Sequence, residues 1–145
     1  MSNSNKRSVL FLCTGNSCRS QMAEGWARHL LDRGIEPFSA GIEKRGLDPR
    51  AVKVMQEVGI DITVQQSNRV DELPSHDFDL VVTVCDDAKE SCPALPGAPR
   101  QWHRAFDDPP KLAMTARDES EALAHYRRVR DEIHEMVLQI PELMG

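Results

Sequence analysis

No stretch of this sequence approaches the roughly 20 consecutive apolar residues of a membrane span, and residues 1–8 are too polar to form the core of a secretion signal. A cytoplasmic protein with no membrane partner is therefore expected. Excess positive charge is missing too: 18 Lys and Arg stand against 23 Asp and Glu, for a net charge of -5. A nucleic-acid partner, which calls for a basic face, is not expected. The histidines at 29, 76, 103, 125 and 134 show no metal-ligand spacing. Internal repeats and low-complexity tracts are absent, and 145 residues suffice for one core and no second domain. One domain over residues 1–145 is expected, frayed over 1–7, as a monomer.

What is present is four cysteines, at 13, 18, 85 and 92. Without a secretion signal, such cysteines are more often catalytic, redox-active or metal-bound than a structural disulfide framework. Their positions in the chain discriminate. Val9-Leu10-Phe11-Leu12 is a continuous apolar run ending at Cys13, the pattern of a buried parallel strand. From Arg19 onward, Met22, Ala23, Trp26, Ala27, Leu30 and Leu31 recur at helical spacing, with Gly34 as C-cap. A short strand is predicted over residues 37–40, then a helix with Asp48 as N-cap, Pro49 in its first turn and Val52, Met55 and Val58 inward. Residues 80–84 predict a third strand, stopping at Cys85, and Gln101-Trp102 a fourth. Leu123, Tyr126, Val129, Ile133, Met136, Val137 and Ile140 mark a long closing helix. Such alternation predicts an α/β fold with a mostly parallel sheet and helices on both faces, in which ligands bind beyond the carboxyl ends of the strands. Cys13 and Cys85 both stand at such ends.

The segment Cys13-Thr14-Gly15-Asn16-Ser17-Cys18-Arg19-Ser20 joins the first strand to the first helix. Its backbone N–H groups can converge on one point at the helix N-terminus and form an anion nest. Gly15 permits a tight turn, Asn16 tolerates a left-handed conformation, and Arg19 can fork two N–H bonds onto two anion oxygens. Cys13 would face the anion's central atom, and the surrounding field favours its thiolate. Ser20 can donate a further bond to that sulfur. The plain alternative is a buried cysteine at a strand end followed by an ordinary loop. Cys18 could pair with Cys13 under oxidation or serve as a packing residue.

Cys85 and Cys92 are spaced too widely for zinc, which takes cysteines roughly two to four residues apart. No metal is assigned. If residues 86–91 were helical, the two Cα atoms would lie about 10 Å apart. A disulfide needs about 5.5 Å, so bridging them would unwind that turn, and Pro93 stops the helix from extending. Two incidental thiols are the alternative to this redox switch. Asp108 precedes Pro109, a dipeptide that by itself begins turns, and Asp107 is its neighbour.

The Cys13 loop resembles that of the low-molecular-weight tyrosine phosphatase superfamily, and its continuation Gln21-Met-Ala-Glu-Gly-Trp26 resembles the thioredoxin-coupled arsenate reductase branch. The similarity extends through Ser39-Ala-Gly-Ile-Glu43, Val81-Val-Thr-Val-Cys85, Cys92-Pro93, Phe106-Asp-Asp-Pro109 and Tyr126-Arg-Arg-Val-Arg-Asp-Glu-Ile133. It implies a four-stranded parallel sheet, Cys13 as nucleophile, residues 14–20 as the substrate loop, and Asp108 as general acid. Cys85 corresponds to the cysteine that resolves the first intermediate, and Cys92 to the one that completes a disulfide for thioredoxin or another disulfide reductase. No tightly bound cofactor is implied. A monovalent cation in this branch uses the positions of Asn16, Glu24, Ser39 and a carboxylate where this chain has Asn68, a change that weakens such a site. His103-Arg-Ala-Phe106 is longer than the branch's pattern, and Pro110-Lys111 stand where phosphatases place tyrosines for an aryl phosphate. The resemblance thus favours arsenate as substrate. A phosphatase using only Cys13, Arg19 and Asp108, and a non-enzymatic thiol module, are the competing functions.

Overall fold

A computed structural model describes residues 7–31, 33–73, 77–85 and 100–144. Four strands, β1 (Arg7–Cys13), β2 (Ile35–Gly41), β3 (Leu80–Thr83) and β4 (Gln101–His103), form one sheet in the order β2-β1-β3-β4. All neighbours are parallel, so the carboxyl ends of β1, β2 and β3 share one rim. Cys13 pairs with Gly41 across the β1–β2 ladder, and Leu12 pairs with Thr83 across β1–β3.

Both faces of β1 are covered, which is why its sequence is continuously apolar. Val9, Phe11 and Val82 join a core with Met22 and Trp26 of α1 (Arg19–Leu30), Val54 and Met55 of α2 (Pro49–Glu57), and Tyr126, Val129 and Ile133 of α4 (Glu119–Leu138). On the other face, Leu10, Leu12, Ala40 and Val81 pack with Phe78, Phe38, Val70 and Leu73, and a short 3-10 turn, Val70–Glu72, lies there. Each large side chain buried in this way contributes roughly 1.5–3 kcal/mol. The Trp26 indole N–H donates to Arg130 O at 3.1 Å and anchors α1 on α4.

Several boundaries differ from the sequence reading: Arg7, expected to fray, opens β1, β2 extends beyond residues 37–40 at both ends, and β3 stops at Thr83, one residue short. Helix α1 ends on Leu31, in extended conformation, and Gly34 instead accepts the Arg7 N–H at the start of β1. Asp48 caps α2 and Pro49 opens it as expected, but the inner face is Ala51, Val54 and Met55. Val58 is exposed because the helix ends at Glu57, one residue before the stripe would reach it. The closing helix stops at Leu138, and Ile140 starts a separate turn, α5 (Ile140–Met144). Pro141 has no N–H to continue the ladder. A short helix unforeseen in the sequence, α3 (Pro109–Ala113), follows Asp108 directly. Residues 86–91, Cys92 and Pro93, on which the expected redox switch falls, lie outside the described residues.

Candidate active site

Strand β1 delivers Cys13 to the rim, and α1 begins six residues later, leaving residues 14–18 as the connecting loop. Four successive carbonyls of this loop are engaged from outside. Thr14 O accepts from Glu43 N, Gly15 O from Arg45 N, and Ser17 O from Asp48 N, each at 3.0 Å. Asn16 O accepts from the Ser67 hydroxyl at 2.9 Å and from the Gln21 amide at 3.1 Å. Because the peptide unit is planar and trans, a carbonyl turned outward turns the next residue's N–H the other way. The amides of Gly15, Asn16, Ser17 and Cys18 therefore face away from these anchors, the arrangement an anion nest requires. Cys18 is the N-cap of α1 and makes no side-chain cap bond, so the positive end of the helix adds to the same field.

The left-handed residue is Asn16, at φ 47°. Its side chain explains how the strain is held: Nδ2 donates to Ser20 Oγ at 2.9 Å, while Oδ1 accepts from Gln21 Nε2 at 3.1 Å and from Asn68 N at 2.6 Å. Gln21, fully buried, is held in turn by Gln65 Nε2, which donates to its Oε1 at 2.8 Å. Gly15 has a different role, since a Cβ there would stand 2.7 Å from Arg45 Cδ. At Gly41, a Cβ would stand 2.6 Å from Thr14 O and 2.9 Å from Asn16 N, so β2 can approach the loop only as glycine.

Arg19 is buried; its NH1 donates to Phe106 O at 3.1 Å, and its NH2 lies 3.7 Å from Asp108 Oδ1. The prolines at 109 and 110 remove the first two N–H groups of α3, and the Asp108 carboxylate makes no cap bond. It lines the cavity instead. Asp107 points elsewhere, accepting from Arg128 at 2.9 Å on the surface of α4. The two carboxylates that sequence left open are thus separated by their partners.

Cys13 and Cys18 are buried and outside any disulfide, and Cys85, fully buried, is disulfide-bonded. Burial pushes the Cys18 thiol well above its ordinary value, followed by the Asp48 carboxylate and Cys13, with Arg19 opposing. Such a thiol stays protonated and packs. Val84 N donates to Leu12 O at 2.9 Å, so Cys13 and Cys85 each follow one of a hydrogen-bonded pair of residues on adjacent strands. The cavity above the loop holds about 270 Å³ and is lined by residues including Cys13, Arg19, Arg45, Asp48, Asp108 and Pro110.

A family model described as low molecular weight phosphotyrosine protein phosphatase matches residues 8–142. The chain belongs to that family. Within the low molecular weight phosphatase family it is 50% identical to the arsenate reductase of Bacillus licheniformis over 137 residues, 94% of this chain and 96% of that one. It is 49% identical to the arsenate reductase of Bacillus subtilis over 134 residues, 92% of this chain and 94% of that one. A solved arsenate reductase in the phosphate binding state has a TM-score of 0.78 and 31% identity, with 96% of this chain and 99% of that one covered.

The cation positions implied by the resemblance to the reductase branch, Asn16, Glu24, Ser39 and Asn68, can be compared with the geometry. Glu24 already accepts from Ser39 Oγ and from Arg28, each at 2.6 Å. Asn68 turns its amide donor to Gln66 O at 3.1 Å and toward Ser39 O at 3.5 Å. Ser39, Arg28 and Asn68 thus donate to the carboxylate and carbonyl oxygens that a cation would need, and the amide at position 68 supplies no anionic ligand in their place. The cavity-lining Arg45 and Asp48, the close approach of Gly41 and the Gln21–Gln65 bridge went unassigned in the sequence reading. The only local sign was glycine at the end of a strand.

Proposed function

We propose that this chain is an arsenate reductase working through a three-cysteine relay. The observation that carries the relay is the placement of Cys85 beside Cys13 at the ends of two hydrogen-bonded strands, because hydrolysis of a phosphate ester needs only one of them. In the first step the Cys13 thiolate attacks arsenic and forms an S–As bond, while a hydroxyl oxygen leaves as water. Arg19 and the loop amides hold the remaining oxygens, and Asp108 supplies the proton. Next the Cys85 thiolate attacks the Cys13 sulfur. The S–S bond forms as the S–As bond breaks, and its electron pair stays on arsenic, releasing arsenite.

Cys92 then attacks Cys85, frees the Cys13 thiolate and leaves a Cys85–Cys92 disulfide. Thioredoxin, or another dithiol reductase, returns the two electrons. A disulfide at Cys85 together with thiols at Cys13 and Cys18 supports this reading as the state at the end of a cycle. The cavity, about 270 Å³ with Pro110 on its wall, suits a bare tetrahedral anion better than an aryl ester. We place the enzyme in the cytoplasm as a monomeric single domain; among the described residues no helix is long and apolar enough to cross a membrane.

The test is arsenate-dependent oxidation of thioredoxin by the wild type and by Cys85→Ser and Cys92→Ser. Each variant is expected to lose multiple turnover while keeping slow hydrolysis of a small aryl phosphate, and Cys13→Ser to lose both. Undiminished turnover of arsenate by Cys85→Ser, with thioredoxin as sole reductant, would remove the relay.

A further inference from the structure

A second guanidinium stands at the mouth of the cavity. Arg45 is zipped to the loop by its own N–H, which donates to Gly15 O at 3.0 Å. Its side chain runs along the bare face of Gly15, where an added Cβ would stand 2.7 Å from Cδ and 3.1 Å from Nε. It lines the same cavity as Cys13, Arg19 and Asp108. Among the described residues its ion-pair partner is Glu43, whose Oε2 accepts from NH2 at 2.9 Å, with the two side chains 57% and 56% exposed. An ion pair in that much water is worth little, so exchanging Glu43 for another anion costs little.

The need for a second cation follows from the charges around it. The protein carries a net charge of -5, and the cavity wall includes the carboxylates of Asp48 and Asp108. Arg19 sits below, buried and already donating to Phe106 O beside Asp108. An incoming divalent oxyanion therefore crosses an acidic rim before Arg19 can hold it.

We propose that Arg45 is a second oxyanion-binding residue, which leaves Glu43 to take the outward oxygen of a divalent tetrahedral anion held from below by the loop and Arg19. The inference rests on reading the cavity as an arsenate site. Glu43 is then a built-in competitor, occupying the guanidinium until a more highly charged anion displaces it. The pair also selects between substrates. A phosphate or arsenate ester carries its substituent on the outward oxygen and cannot offer that oxygen to Arg45, so the residue favours the bare anion.

The experiment measures the sulfate concentration that half-protects Cys13 of the reduced protein from iodoacetamide, with KM for arsenate in parallel. Arg45→Gln is expected to raise both about fivefold, and Arg45→Lys to recover part of the loss, since it restores charge without the fork. Glu43→Gln, which removes the competitor, is expected to lower both about twofold. KM for a small aryl phosphate should move less than KM for arsenate in all three. Wild-type values in Arg45→Gln and Glu43→Gln, with unchanged melting temperatures, overturn the proposal. If Arg45→Gln does not fold, Glu43→Gln alone decides: tighter binding supports the exchange and unchanged binding overturns it. If sulfate and arsenate fail to protect Cys13 even in the wild type, the reading of the cavity itself is wrong, an outcome distinct from failure of Arg45 alone.

Discussion

The Tyr126 hydroxyl donates to Asp48 Oδ2 at 2.6 Å, joining the closing helix to the cap of α2. The other Asp48 oxygen accepts from Arg50 N at 2.9 Å, and its backbone N–H holds Ser17 O at 3.0 Å. One residue thus links α4, α2 and the loop that follows Cys13. Burial, then the bond to Asp48, raises the Tyr126 hydroxyl far above its ordinary range, so it remains a donor throughout the working pH.

Tyr126→Phe should accordingly destabilise the protein by about 1 kcal/mol, the usual net value of a hydrogen bond whose acceptor is left behind. For a chain of this length the melting temperature should fall by about 2–4 °C. Thermal unfolding followed by circular dichroism would check it, and an unchanged melting point would show that water replaces the hydroxyl.

Gly41→Ala should abolish oxyanion protection of Cys13 while the sheet survives. The new methyl would meet the Thr14 carbonyl at 2.6 Å, and backbone atoms cannot swing aside as a side chain can. Alkylation of Cys13 against sulfate, beside the far-ultraviolet spectrum, separates a distorted loop from an unfolded chain.

Asp108→Asn should reduce kcat for arsenate by about 1000-fold, the middle of the range for loss of a general acid. Asp107→Asn should leave kcat near wild type and cost a little stability, because its partner is Arg128 on α4. Single-turnover kinetics of both variants distinguish the two carboxylates; equal losses would refute the assignment to Asp108.

At pH 8 iodoacetamide should modify Cys13 far faster than Cys18. Both thiols are buried, but burial and the Asp48 carboxylate keep Cys18 protonated. Peptide mapping by mass spectrometry after brief labelling gives the ratio directly.

Glu57 offers a prediction in pH. Hydrogen bonds from Arg127, then its charge and those of Arg130, hold the Glu57 carboxyl down to about 2 from an ordinary value of 4.5. The folded-state value is the lower one, so the stabilisation is fully present above pH 4.5 and disappears as pH falls toward 2. With the side chain 33% exposed, solvent screening leaves on the order of 1 kcal/mol. Urea unfolding of Glu57→Gln should show that deficit at pH 7 and a shrinking one below pH 4.5.

Features written in neighbouring residues were legible before the structure. The apolar run that stops at Cys13, the Asp48-Pro49 helix start, and the turn from Cys13 to Arg19 all declare themselves within a few positions. Tertiary approach is not written that way. Nothing near Gly41 says that Thr14 will press against it, and Arg45 reads as an ordinary surface charge until β2 brings the following segment over Gly15. Val58 was misjudged because periodicity does not say where a helix ends. Asp107 and Asp108 could be told apart only once the tandem prolines and Arg128 had fixed their directions.

The loop's outward-facing carbonyls have a last consequence. With every one of them engaged from outside, the cradle is set before any ligand arrives and has little room to adapt to one anion over another of equal shape. Phosphate should therefore fill it nearly as well as arsenate. Discrimination then falls to the second step, since only an arsenic centre readily accepts the electron pair when Cys85 attacks. The arsenic tolerance of a cell relying on this enzyme should rise and fall with its phosphate supply, the ordinary nutrient acting as a standing inhibitor of the detoxification.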